Sequence, residues 1–366
     1  MLVKEVDVSR YEDYADHEKV LHCIDEESGL NAIIAIHSTR LGPAVGGCRM
    51  RPYASFDEAV TDALRLSRGM TYKSAMVHLP MGGGKSVIIG DPQTEKSEAL
   101  LRAMGRFVNT LEGKYLTAED SGIRVQDLLV MAKETRWVSG FHQKKKAGGE
   151  VSSGDPSPVT ALGVYEGIKA ALDYKFGKKS VAGVRIAVQG VGNVGANLVR
   201  MLAADGAELV ISDVDHLAVN RLVDELDIKS VPAELILEQD VDILAPCAMG
   251  GVVNADSLKV IKASIIAGAA NNQLSRPEIG CLLRKKDILY APDYVINAGG
   301  IIDVYFEESG YDYEKVMAKV RHIGDALREI FQQADERKLP THQVADEIAE
   351  KIFMGKSAVQ GLSVVA

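Results

Sequence analysis

Two rhythms of apolar and polar residues alternate along the chain. Short apolar runs bounded by Gly, Pro or Asp predict strands, and stretches with apolar residues every three or four positions predict helices. Before residue 150 the predicted strands are Asn31–His37, Ser86–Gly90 (closed by Asp91-Pro92) and Lys114–Ala118. Phe56–Arg68 has helical spacing through Phe56, Ala59, Val60, Ala63, Leu64 and Ser67. Ser97–Leu111 repeats it through Leu100, Leu101, Met104, Phe107 and Val108, and Ile123–Thr135 predicts a further helix.

Beyond residue 150, Pro158–Tyr174 predicts a helix and Val184–Gln189 a strand buried on both faces. Helix Asn193–Ala204, strand Ala207–Ser212 and helix His216–Leu226 follow. Val241–Ala245, Ser264–Ala267 and Ile288–Tyr290 are further short apolar runs. This βαβ alternation predicts an α/β fold with a parallel, doubly wound sheet. The chain closes on two amphipathic helices, Lys315–Arg337 and His342–Phe353, separated by Pro340. Between the halves, KKKAGGEVSSGDPSP (Lys144–Pro158) concentrates the Gly, Pro, Ser and charge typical of domain connections.

Composition narrows the class. The 366 residues are 46% hydrophobic and 25% charged, so a disordered, collagen-like or coiled-coil chain is excluded, and each half can bury its own core. With 51 acids against 42 bases, net charge −9, no global basic field exists to hold nucleic acid or an anionic membrane. Lys144-Lys145-Lys146 is a tight basic run and reads as a solvated loop. Met1–Val20 carries acids and no apolar h-region, so no signal peptide is expected, and no run approaches the roughly 18 apolar residues of a membrane span. Cys23, Cys48, Cys247 and Cys281 are far apart, and the eight histidines form no HExxH. A soluble, cytoplasmic protein with no disulfide framework and no metal is expected.

Gly190-Val191-Gly192-Asn193-Val194-Gly195 fits GxGxxG in its proper setting, after an apolar strand and at the start of a helix. Gly190 permits the tight turn, Gly192 lets backbone approach a pyrophosphate, and Gly195 lets helix and strand pack closely. The helix N-terminus adds unpaired N–H groups and partial positive charge. Asp213 follows Gly195 by 18 residues and ends the next strand. A carboxylate there accepts hydrogen bonds from ribose hydroxyls and repels a 2′-phosphate, which favours NAD over NADP.

Gly82-Gly83-Gly84-Lys85-Ser86 is not a P-loop. That motif needs glycine at position 79, which is Leu79, and its lysine opens a helix, whereas Lys85 precedes an apolar strand. The surroundings Leu79, Pro80, Met81, Val87 and Ile88 instead suggest a lysine desolvated toward neutrality, suited to acid–base work. Lys73 reads either as a carboxylate binder or as a surface lysine. Asp120, in TAEDS, reads equally as a site acid or as the N-cap of the following helix.

Taken together, MTYKSA, LPMGGGKSVIIGDP, TAEDSG, PSPVTALGV, the dinucleotide loop, GAANNQL and NAGGIIDV occur in one order. The chain resembles the Glu/Leu/Phe/Val amino-acid dehydrogenase superfamily, most closely its leucine and phenylalanine dehydrogenase branch, from about Ile33 to Met354. The resemblance implies NAD-dependent oxidative deamination of an L-amino acid to its 2-keto acid and ammonia. It assigns Lys85 as catalytic acid/base, Asp120 to proton transfer and the amino group, and Lys73 to the substrate carboxylate. It places Asn272 at the substrate, and Thr160, Asn271 and Asn297 at the cofactor. It also implies two domains around an active-site cleft: a substrate and oligomerisation domain, 1–146 plus 339–366, and a Rossmann-type NAD-binding domain, 147–338. A homo-oligomer, octamer or dimer, would be built through the first domain.

Family positions of the side-chain pocket map onto Leu41, Gly42, Met70, Ala118, Ile301 and Val304. All are small or apolar, and no cation is present for a side-chain carboxylate, so glutamate is disfavoured. Ala118 and Val304 narrow the pocket toward leucine, valine and isoleucine. One methylene is worth only about 1–3 kcal/mol in such a pocket, so phenylalanine stays open. Phe141–Gly149 is longer and more basic than the family's usual connection. Two other classes compete: a 2-hydroxy-acid dehydrogenase, for which His78 and Arg49 lie in no recognisable motif, and a non-catalytic NAD-binding regulatory protein.

Overall fold

The structure, a computed structural model, describes residues 1–142, 154–308 and 311–355. The expectations placed on Lys144–Lys146 and Gly148-Gly149 fall outside the described residues. The chain divides into two compact units: Met1–Asp155 with Val304–Tyr313 and Ala349–Ala366, and Pro156–Asp303 with Glu314–Ile348.

The first unit is built on six strands: β1 (Leu2–Glu5), β2 (Lys19–Asp25), β3 (Leu30–Ser38), β4 (Ala44–Arg51), β5 (Gly82–Ile89) and β6 (Tyr115–Ala118), in spatial order β1-β2-β3-β5-β4-β6. β1, β2, β3 and β5 pair antiparallel in turn, while β4 runs parallel to both β5 and β6. The sheet is therefore mixed, not the parallel sheet that the alternation predicts. Neighbouring residues of β3 serve opposite faces. Ile33 and Ala35 pack with Ala59, Val60, Ala63 and Leu64 of α1 (Phe56–Met76). Ile34 and Ile36 pack with Leu100, Met104 and Phe107 of α2 (Glu98–Asn109) and Leu128 of α3 (Val125–Met131). Each such large side chain contributes about 1.5–3 kcal/mol on burial.

α1 is capped by Ser55, whose hydroxyl accepts the Glu58 N–H. It runs two turns beyond the predicted Arg68, because Thr71 and Ser74 are buried although polar. The reason lies in β5. A methyl group on Gly83 would stand 2.1 Å from the Thr71 backbone nitrogen, so glycine lets helix and strand backbones meet. The glycines of GGGK are thus strand residues, and β5 begins at Gly82, four residues before the predicted start.

The second unit opens with α4 (Ser157–Phe176), ended by Gly177 in a left-handed conformation (φ 66°). Then come β7 (Arg185–Gln189), α5 (Asn193–Ala204), β8 (Glu208–Ser212), α6 (His216–Leu226), β9 (Lys229–Ser230), β10 (Ile243–Pro246), β11 (Ile265–Ile266), α7 (Glu278–Lys285), β12 (Leu289–Tyr290), α8 (Asp293–Ile296), α9 (Gly299–Glu308), α10 (Tyr313–Arg337) and α11 (Thr341–Phe353). The sheet order is β12-β11-β10-β7-β8-β9, parallel throughout, the doubly wound arrangement expected. The short helices α7, α8 and α9 were not anticipated.

The unit boundaries differ from the expected 1–146 plus 339–366 and 147–338. The start of α11 belongs with the second unit: Thr341 donates to the Tyr290 carbonyl (2.7 Å) and Tyr294 to Asp346 (2.9 Å). Its end belongs with the first, where Glu350 accepts from Tyr72 (2.5 Å) and Phe353 packs edge-on to His37. Val304–Tyr313 also joins the first unit. Among the described residues no helix is long and apolar enough to cross a membrane, and no group of three or more His, Cys, Asp or Glu is placed to hold a metal ion.

Candidate active site

The chemistry of the first unit centres on β4, β5 and the loop after β6. Lys85 lies inside β5 with only 5% of its surface exposed, and its ammonium forms an ion pair with the Asp120 carboxylate. Asp120 is not the helix cap that the sequence left open. α3 starts at Val125, and Asp127 accepts the N–H of Arg124 at its N-cap. The Asp120 carboxylate instead faces Lys85, Arg49 (3.4 Å) and the Ser121 N–H (2.5 Å). Burial alone would raise its pKa. The Lys85 ammonium and the Arg49 guanidinium, with the hydrogen bonds from Lys85 and Ser121, outweigh burial and hold the carboxyl well below the usual range. Asp120 is therefore an anion here.

Beneath this pair, the buried Tyr115 hydroxyl donates to the Gly46 carbonyl (2.8 Å). Burial pushes the Cys48 thiol up to about 12 and the Tyr115 phenol upward as well, so both are neutral neighbours. Lys73 lies in the last turn of α1, partly buried, on the stretch that Gly83 draws against β5.

Of the expected pocket residues, Leu41 and Gly42 occupy the turn before β4, and Met70 lies on α1. Ala118 ends β6 and Val304 lies on α9. Ala118 and Val304 converge on a residue sequence reasoning missed. A methyl group on Gly140 would rest 3.8 Å from the Ala118 Cβ and 4.0 Å from Val304 Cγ2. Glu307, one turn beyond Val304, accepts the N–H groups of Gly140 (2.8 Å), Phe141 (3.0 Å) and His142 (3.1 Å), which ties this loop to α9. Ile301 falls in the second unit.

In the second unit the dinucleotide loop has the geometry its glycines imply. Gly190 has φ 94° and donates to the Ser212 carbonyl (2.8 Å). A methyl group on Gly195 would strike the Gly190 carbonyl oxygen at 2.0 Å. Gly192, at the N-cap of α5, has nothing within 4 Å of such a group, so the space above the helix N-terminus is open. Asp213, just past β8, accepts the Val191 N–H (2.7 Å) and the Asp215 N–H (2.9 Å), which fixes its carboxylate beside the loop. Asn193 and Val194 form the first turn of α5.

Thr160 lies in the first turn of α4, where its hydroxyl donates to the Pro156 carbonyl (3.0 Å). A methyl group on Gly300 would meet that hydroxyl at 2.8 Å, so PSPVTALGV and NAGGIIDV adjoin. Asn297 donates to the Asn271 side chain (2.7 Å) and to the Ala269 carbonyl (3.0 Å). Its own Oδ1 is buried without a hydrogen-bond partner among the described residues. Asn272 adopts φ 52°. The open helix N-terminus, the fixed Asp213 carboxylate and the unsatisfied Asn297 oxygen fit a dinucleotide with an amide to recognise. Arg49 is engaged by Asp62 and Asp120, which argues against the 2-hydroxy-acid reading.

Comparisons with known proteins agree with this geometry. The family model described as Glu/Leu/Phe/Val dehydrogenase, dimerisation domain, matches residues 17–137. That described as Glutamate/Leucine/Phenylalanine/Valine dehydrogenase matches residues 148–221 and 213–353. The chain is 48% identical over 346 residues to the leucine dehydrogenase of Geobacillus stearothermophilus, covering 94% of this chain and 93% of that one. It is 48% identical over 344 residues to the valine dehydrogenase of Streptomyces virginiae, covering 93% and 95%. The crystal structure of L-tryptophan dehydrogenase from Nostoc punctiforme is similar with a TM-score of 0.79 at 45% identity, covering 93% of this chain and 96% of that one. This chain belongs to the glutamate/leucine/phenylalanine/valine dehydrogenase family and is an NAD-dependent amino-acid dehydrogenase.

Proposed function

We propose that the enzyme oxidatively deaminates branched-chain L-amino acids, leucine first with valine and isoleucine beside it, to the 2-keto acid and ammonia, reversibly. The observation that carries the reading is the buried Lys85–Asp120 pair in the same unit as the apolar wall of Ala118 and Val304. NAD supplies the hydride acceptor when bound, held by the Gly190–Gly195 loop, Asp213, Thr160, Asn271 and Asn297.

Lys73 pairs with the substrate carboxylate, Asn272 assists at the substrate, and Asp120 holds the amino group. Once the substrate Cα–N is an iminium, Lys85 as free amine takes a proton from water, whose oxygen bonds to Cα. The resulting carbinolamine collapses when Lys85, now an ammonium, returns that proton to nitrogen and, again a free amine, takes the hydroxyl proton as the C–N bond breaks, the carbonyl forms and ammonia leaves. The Asp120 anion stabilises the ammonium form of Lys85 between these transfers. Leu41, Gly42, Met70, Ala118, Ile301 and Val304 enclose the side chain. The first unit serves as the substrate and oligomerisation domain of a cytoplasmic homo-oligomer, and the second as the NAD domain.

NADH formation at alkaline pH with L-leucine, L-valine, L-phenylalanine, L-tryptophan and L-glutamate tests the substrate. Highest kcat/KM on leucine or valine and no turnover of glutamate is expected. An aromatic substrate in first place would move the enzyme to the phenylalanine branch, and glutamate turnover would overturn the pocket assignment.

A further inference from the structure

The sequence CRMRPY, in and after β4, does more than complete a strand. Residues 47 and 49 of β4 project to one face. Gly47 leaves that face empty beside Lys85 and Asp120, and Arg49, two residues on, fills it with a guanidinium. Arg49 bridges two carboxylates: Nη1 lies 3.1 Å from Asp62 of α1 and Nη2 lies 3.4 Å from Asp120. Asp62 is itself held by the Tyr53 hydroxyl, which donates at 2.7 Å. The side chains of Arg49, Asp62 and Asp120 are each 17% exposed and that of Lys85 is 6% exposed. The cluster contains two cations and two anions, and no solvent shell replaces either partner of Asp120 cheaply.

We propose that Arg49 is a positioning residue of this enzyme: anchored by Asp62 and Tyr53, it fixes the orientation in which the Asp120 carboxylate meets Lys85. The proposal rests on the reading of Lys85 and Asp120 as the acid–base pair. A lysine could supply the charge but not the two-armed bridge, since the planar guanidinium reaches both carboxylates at once. Other titratable groups that feel the Asp120 charge are Cys48 of β4, Tyr115 of β6 and Glu119. The thiol and the phenol are neutral, and burial holds the Glu119 carboxyl above its ordinary range. Arg49 thus adds a second positive charge to that of Lys85 at the Asp120 carboxylate.

The test compares Arg49→Met, Arg49→Lys, Asp62→Asn and Lys85→Ala in the full-length enzyme, with kcat, KM and the pH dependence of leucine deamination as readouts. For Arg49→Met we expect kcat to fall by about 10- to 100-fold, as misplacement of a catalytic group does, with KM for NAD unchanged. Losing a positive charge favours the protonated forms of the pair, so the acidic limb of the kcat profile moves up by about one pH unit. Arg49→Lys keeps the limb near its wild-type position and recovers only part of kcat. Asp62→Asn loosens the anchor and lowers kcat in the same direction, which keeps the proposal testable if Arg49→Met does not fold. Wild-type kcat and pH profile in folded Arg49→Met, or in Asp62→Asn should the former not fold, would overturn the proposal, provided Lys85→Ala is inactive. An active Lys85→Ala would instead overturn the acid–base reading beneath it.

Discussion

Gly47 lies so close to Asp120 that a methyl group on it would stand 2.8 Å from the Asp120 Cβ and 3.2 Å from the Lys85 Nζ. The Glu119 carbonyl oxygen closes the third side at 2.6 Å. The Lys85–Asp120 ion pair therefore has room only because β4 offers no side chain at this position. Gly47→Ala is expected to displace Asp120 and cut kcat by about 100-fold. Circular dichroism and Tm would show the fold retained, so that the loss is assigned to the site.

Specificity should respond to the gap at Gly140. A methyl group there touches both Ala118 and Val304 at ordinary contact distances, although φ 87° makes alanine strained by about 1–2 kcal/mol. Gly140→Ala should lower kcat/KM for phenylalanine relative to valine by about tenfold, since one methyl in an apolar pocket is worth about 1–3 kcal/mol. Competition between the two substrates, read by product analysis, measures the ratio directly.

Coenzyme choice should follow Asp213. The carboxylate accepts the Val191 N–H at 2.7 Å, which holds it beside the dinucleotide loop. Asp213→Asn removes the charge that repels a 2′-phosphate and weakens an ionic acceptor worth about 1.5–3 kcal/mol. Steady-state kinetics should show KM for NAD raised about tenfold or more and the NADP/NAD ratio of kcat/KM increased.

Acid stability should be governed in part by His37. It is 5% exposed, bonded to the Thr71 hydroxyl at 2.8 Å, and set edge-on to His17. Burial, the His17 ring and Arg68 push its pKa down from 6.5 to about 3. The unfolded chain thus binds a proton that the folded chain refuses. This contribution is complete above pH 6.5 and is lost as pH falls from there toward 3. Tm should decline between pH 7 and pH 5, and His37→Gln should flatten that decline.

Much of the fold was legible because its signals are side-chain periodicities. Helices α5 and α6 have the bounds their apolar stripes predict, and β3 extends the β-branched run by one residue at each end. β4 was not legible: AVGGCRMR contains two glycines and two arginines, which hide a strand from any apolar pattern. Gly47 and Arg49 are the residues that adjoin Lys85 and Asp120, so what makes room for the ion pair also obscures the strand. GGGK revealed its lysine but not its strand, because glycine carries no side chain to alternate. Gly140 and Glu307 join Ala118 to Val304 across more than 160 residues, and only tertiary contact relates them. The unit boundaries likewise depend on what the two ends of α11 touch.

The most direct measurement is NADH formation from L-leucine at alkaline pH by wild type and Lys85→Ala, alongside NAD binding by each. The Lys85 assignment predicts unchanged NAD affinity and turnover reduced by a factor of about 10² to 10⁴, the usual worth of a positioned acid–base group. Turnover by Lys85→Ala within a few-fold of wild type would contradict it and place the proton transfers elsewhere.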